Sequence, residues 1–117
     1  MDGSILQATE AALVEQWKIA PLGLSPYDLN RQLLLEALFE RILYLLVYRP
    51  QKLLSALYIL DVGEDSYTQA MDQDTMEDRA WALAVAIYDR ESEKIRLRKK
   101  YSTPESDRQI DGPERGE

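Results

Sequence analysis

Residues 25–48 read SPYDLNRQLLLEALFERILYLLVY, and the architecture turns on this stretch. Ser25, Pro26 and Asp28 make a helix start. The serine is a side-chain N-cap, the proline lacks an N–H that the first turn leaves unpaired anyway, and the acid faces the positive end of the helix dipole. Beyond them Leu34, Leu35, Leu38, Phe39, Ile42, Leu45 and Leu46 recur at helical spacing and cover more than half the circumference. Asp28, Gln32, Glu36 and Glu40 leave only a narrow polar stripe. A helix this apolar needs neighbours on several sides, so the spacing predicts the central helix of a bundle over 26–48.

Downstream, Arg49 precedes Pro50, and a residue before proline is pushed out of helical geometry. A third helix over 50–61 follows, with Leu53, Leu54, Leu57 and Leu60 facing inward and Gly63 as its C-cap. Whether it is separate from the second helix or one helix kinked at Pro50 stays open at this level. Upstream, Ser4 with Gln7 resembles a capping box for a helix over 4–19. Its two apolar stripes, one with Leu6, Leu13 and Trp17 and one with Ile5, Ala8, Ala12 and Ile19, imply two neighbours. Residues 64–74 read as a loop with one helical turn around 66–71.

Asp74 or Thr75 then caps a fourth helix over 75–100, burying Met76, Ala80, Leu83, Ala84, Ile87 and Tyr88 with Trp81 at the edge. Past Asp89 only Ile95 continues that face, so the charged end is expected to project from the bundle. Residues 102–117 hold two prolines, two glycines and a single aliphatic side chain, Ile110, and read as a disordered acidic tail. The expectation is an all-α, small four-helix bundle-like single domain over 1–101, followed by that tail.

Composition narrows the function. The chain has 117 residues, 45% of them apolar, which suits one domain with one modest core. Twenty-one acidic against fourteen basic residues give a net charge of −7, which repels nucleic acid and anionic membrane over most of the surface. There is no cysteine and no histidine, which excludes disulfides, thiolate or imidazole metal ligands, and Ser-His or Cys-His catalytic pairs. Charges interrupt residues 33–60 too often for a membrane span, and the acidic N-terminus does not resemble a secretory signal, so the expected location is the cytoplasm.

Four groups of side chains invite chemistry. Seven acids and no base lie between Asp61 and Asp78, but Asp72, Asp74, Glu77 and Asp78 match a calcium loop poorly, lacking its sixth-position Gly and twelfth-position Glu. They read as a solvated, helix-capping segment. Glu36 and Glu40 sit one turn apart as in di-iron bundles, yet the histidines such sites need are absent. Lys94, Arg96, Arg98, Lys99 and Lys100 form a basic cluster that suits either phosphates or the negative end of the helix dipole. Tyr44 and Tyr48, two of seven tyrosines, lie one turn apart on the flank of the central helix and suit an interface.

These observations predict a non-enzymatic helical protein–protein interaction module with no cofactor and no metal. Its expected partner is a second copy, as a homodimer, or another protein. In that arrangement the acidic segment of one subunit meets the basic helix end of the other. The alternative is a small regulatory or accessory protein contacting nucleic acid through Lys94, Arg96, Arg98, Lys99 and Lys100.

Overall fold

In a computed structural model, which describes residues 3–101, the chain is all-helical: α1 Gly3–Trp17, α2 Arg31–Tyr48, α3 Pro50–Leu60, α4 Glu64–Met71 and α5 Met76–Tyr101. The expected tail over 102–117 lies outside the described residues. No described helix is long and apolar enough to cross a membrane.

The centre is the packing of α2 on α5. Leu34, Leu35, Leu38, Ile42 and Leu45 of α2 are buried together with Ala80, Leu83, Ala84 and Ile87 of α5. Alanines at 80 and 84 bring the α5 backbone close enough for the leucines of α2 to fill the seam. Phe39 and Trp81 close one edge, their ring centroids 5.6 Å apart. Leu13 and Trp17 of α1, Leu53, Leu57 and Leu60 of α3, and Ala70 of α4 complete one continuous core. Met76 and Leu54, expected inside, are substantially exposed. Met76 stands at the first residue of α5, before the buried arc begins, and Leu54 lies beside the Leu53–Leu57 line that α3 turns inward.

The second helix starts later than Pro26. Residues 26–28 form one turn, closed by Asp28 N–H and Leu29 N–H donating to Ser25 O, and α2 begins only at Arg31. Asn30 is extended (φ −148°, ψ 167°), and its Oδ1 accepts from Leu33 N–H at 3.0 Å. A second N-cap inside the expected helix thus competes with helix continuation, and burial of Leu29 against the core holds the break.

A single residue, Arg49, separates α2 from α3, so these are two helices, with Pro50 at the first position of the second. α3 ends on Asp61, which takes the left-handed conformation (φ 66°) while Val62 N–H donates to Leu57 O and Asp61 N–H to Tyr58 O. That is a Schellman stop, with Asp tolerating the left-handed turn. Gly63, expected to supply it, has φ −64° and instead caps α4. The acids Glu64 and Asp65 then face the positive end of α4, and the expected single turn is an eight-residue helix. Thr75 caps α5, its Oγ1 accepting from Asp78 N–H at 3.0 Å. α1 opens at Gly3, so Ser4 lies inside the helix rather than capping it.

If Asn30 rather than Ser25 sets the start of α2, Asn30→Ala should cost about 1 kcal/mol in urea denaturation. Ser25→Ala, an exposed change outside the helix, should cost less than about 0.5 kcal/mol.

Candidate interaction surfaces

Ordinary core packing and capping leave three features, and the first is an apolar surface. Tyr44 and Tyr48 lie in contact along the open flank of α2, ring centroids 5.2 Å apart and planes tilted by 41°, and the Arg41 guanidinium lies 5.4 Å from the Tyr44 centroid. Arg41 is fixed in turn, because its Nε donates to Trp17 O at the C-terminus of α1 at 3.0 Å. The ladder is therefore a preorganised surface. Val47 is also exposed on α2, and Leu54 and Tyr58 on α3, so both helices expose large apolar groups: Tyr44 is 46% exposed, Tyr48 68% and Tyr58 86%. Nothing in the sequence singles out Tyr58 or Val47. The one signal there is the breadth of apolar positions on α3, which exceeds what one core-facing stripe uses.

The second feature is the basic end of α5. Residues 96–100 are exposed, but α1 runs antiparallel beside them. Lys99 Nζ donates to Ser4 Oγ at 2.6 Å, Thr9 and Ser92 are hydrogen-bonded, and Ile95 is buried. This end is therefore flanked by α1 on one side and open on the other. The five bases do not share one face. Lys94 and Arg98 line a groove with Trp17 and Glu91, whereas Arg96 lines a separate one with Ile5, Leu29 and Arg31.

The third is a polar seam between α1 and α5. Thr9 Oγ1 donates to Ile5 O at 2.7 Å, which leaves Ser92 Oγ to donate to Thr9 Oγ1 at 3.2 Å. One turn along α1 in either direction, at Ile5 and Leu13, the buried side chains are apolar. At the inner end of the seam Trp17 Nε1 donates to Glu91 Oε2 at 3.0 Å. Glu91 is only 7% exposed and lies within 4 Å of no Lys or Arg nitrogen among the described residues. In the sequence Glu91 stands among scattered surface charges, because a helical wheel does not reveal which neighbour covers it.

The carboxylates considered for metal stay apart. Glu36 and Glu40 are exposed, with Glu36 accepting from Gln32 Nε2 at 3.1 Å. Asp61 pairs with Arg90 at 3.3 Å, and no three acids among the described residues are grouped to hold an ion. The chain has no significant match among known protein families, curated proteins or solved structures.

Replacing Trp17 by Phe removes the indole donor to Glu91 while keeping much of the buried ring. The variant should lose about 2 kcal/mol of stability, since a buried charged acceptor loses its partner. Trp17→Phe combined with Glu91→Leu should recover part of that loss, measured by denaturation of both variants.

Proposed function

We propose that this protein is a non-enzymatic helical interaction module that associates with a second copy of itself. The observation carrying this reading is the exposure of Tyr44, Val47 and Tyr48 on α2 and of Leu54 and Tyr58 on α3. Aromatic groups held in mutual contact, as Tyr44 and Tyr48 are, lose less side-chain entropy on binding and suit the centre of an interface. Clustered apolar groups on a small domain are more typical of a binding face than of bare surface.

Charge supports a second copy as the occupant. Asp72, Asp74, Glu77 and Asp78 lie at the start of α5 and the bases of 94–100 at its end, while Asp61 pairs with Arg90 between them; the 26 residues of α5 span about 39 Å at 1.5 Å per residue. That separation keeps most of the two groups from pairing within one chain. Two copies related by a two-fold axis, with α5 helices antiparallel, bring each acidic segment toward the partner's basic end. Such pairing sets orientation and speed of encounter more than affinity. Binding of nucleic acid through the basic end has less support, since the net charge is −7 and Lys94 and Arg98 face a different groove from Arg96.

Light scattering at two protein concentrations and two salt concentrations tests the reading. The expected mass is twice that of the chain, and Tyr48→Glu with Tyr58→Glu should return it to one chain without loss of helicity. Reversing Arg96, Lys99 and Lys100 to Glu should slow association at low salt. A monomer under all conditions would rule self-association out.

A further inference from the structure

Beyond that surface, and independently of self-association, the groove between α1, α3 and α5 has the chemistry of a ligand site. It encloses about 440 Å³ and is lined by Glu15, Trp17, Ile59, Glu91, Lys94 and Arg98 among others. Glu91 is more than nine-tenths buried, and only its Oε2 has a partner, the Trp17 indole; Oε1 accepts no hydrogen bond from a described protein group. A buried carboxylate without a counter-charge is costly, and native structures retain such groups where something else uses them. Two cations line the same groove, yet neither Lys94 nor Arg98 is within 4 Å of a carboxylate among the described residues.

The order of these groups is set by the helices. α1 and α5 run antiparallel, as the pairs Thr9 with Ser92 and Trp17 with Glu91 on one side and Ser4 with Lys99 on the other require. Glu15, half a turn before Trp17, therefore falls at the Glu91 end, whereas Lys94 and Arg98 follow one and two turns further along α5. The groove is acidic at one end and basic at the other, with the Trp17 ring and the largely exposed Ile59 supplying apolar wall. At 1.5 Å rise per residue the backbone positions of Lys94 and Arg98 are about 4.5 and 10 Å along the axis from that of Glu91.

We infer that this groove binds a small linear zwitterion, its ammonium on Glu91 and Glu15, its carboxylate on Lys94 and Arg98, and an apolar spacer against Trp17 and Ile59. A spacer of roughly five methylenes falls between the two axial limits. Opposite charges on one ligand answer both unpaired sets at once, whereas a simple anion or amine leaves one set unanswered.

Trp17 reports on occupancy because its indole lines the groove and holds Glu91. In full-length Trp81→Phe protein it is the sole tryptophan. Titration of its emission with ε-aminocaproate should saturate, with γ-aminobutyrate, caproate and hexylamine binding at least about tenfold more weakly. Glu91→Gln, Lys94→Gln and Arg98→Gln should each weaken ε-aminocaproate by about tenfold. Lys94→Gln and Arg98→Gln change side chains outside the core, so they keep the test open even if Glu91→Gln perturbs folding. The inference is overturned if no saturation occurs up to about 10 mM, if caproate or hexylamine alone binds as tightly, or if the Lys94 and Arg98 variants bind unchanged.

Discussion

Every other element is arranged around the packing of α2 against α5. The leucine and isoleucine arc of α2 meets alanines at 80 and 84, so the two longest helices approach closely and fill their seam. Each remaining element then covers part of what that pair leaves open. α1 lies against both, α3 folds back from Arg49 to bury Leu53, Leu57 and Leu60, and α4 places Ala70 and half-buried Tyr67 and Met71 against α5 and the core. At the C-terminal end of α2 this cover runs out, and Tyr44, Val47 and Tyr48 stand exposed. The open surface follows from the mismatch between one long apolar helix and short partners.

The chain connections are held by hydrogen bonds as much as by burial. Glu10 Oε2 accepts from Leu22 N–H at 2.9 Å, tying the α1–α2 loop back to α1. Arg41 reaches Trp17 O, and Arg90 Nε donates to Leu60 O at 3.2 Å, so arginines satisfy the last carbonyls of α1 and α3. Both guanidiniums use apolar stems along the surface while their heads cap a neighbouring helix. Three described ion pairs, Arg31 with Asp89 and Arg90 with Asp61 and Glu93, lie on the exposed side and add little beyond orientation. The polar seam differs in kind, because Thr9, Ser92 and Glu91 are buried and their mutual and indole hydrogen bonds stand in place of ones to water.

Much of the architecture is legible in the sequence. The helical class, the role of α2, a turn or kink at Arg49–Pro50 and a start at Asp74 or Thr75 follow from spacing and caps, which act over three or four residues, whereas the full separation of α2 from α3 and the choice of Thr75 do not. The finer boundaries do not. Asn30 and Ser25 are equally good caps in isolation, and only burial of Leu29 distinguishes them. Asp61 and Gly63 are both able to stop a helix, and which one does so depends on where Val62 packs. For the candidate surfaces, Tyr44 and Tyr48 are visible as a pair one turn apart, but Tyr58 is not, because its exposure depends on which arc of α3 the core takes.

Composition and local periodicity suffice for helix number to within one, for the apolar arcs and for the exclusion of cysteine and histidine chemistry. Tertiary packing settles the rest: Lys94 and Arg98 line one groove and Arg96 another, Glu91 is buried and held by Trp17, and Tyr44, Tyr48 and Tyr58 stand exposed on α2 and α3. The reason is that a helix fixes which residues share a face, but which face meets solvent depends on the neighbours packed around it.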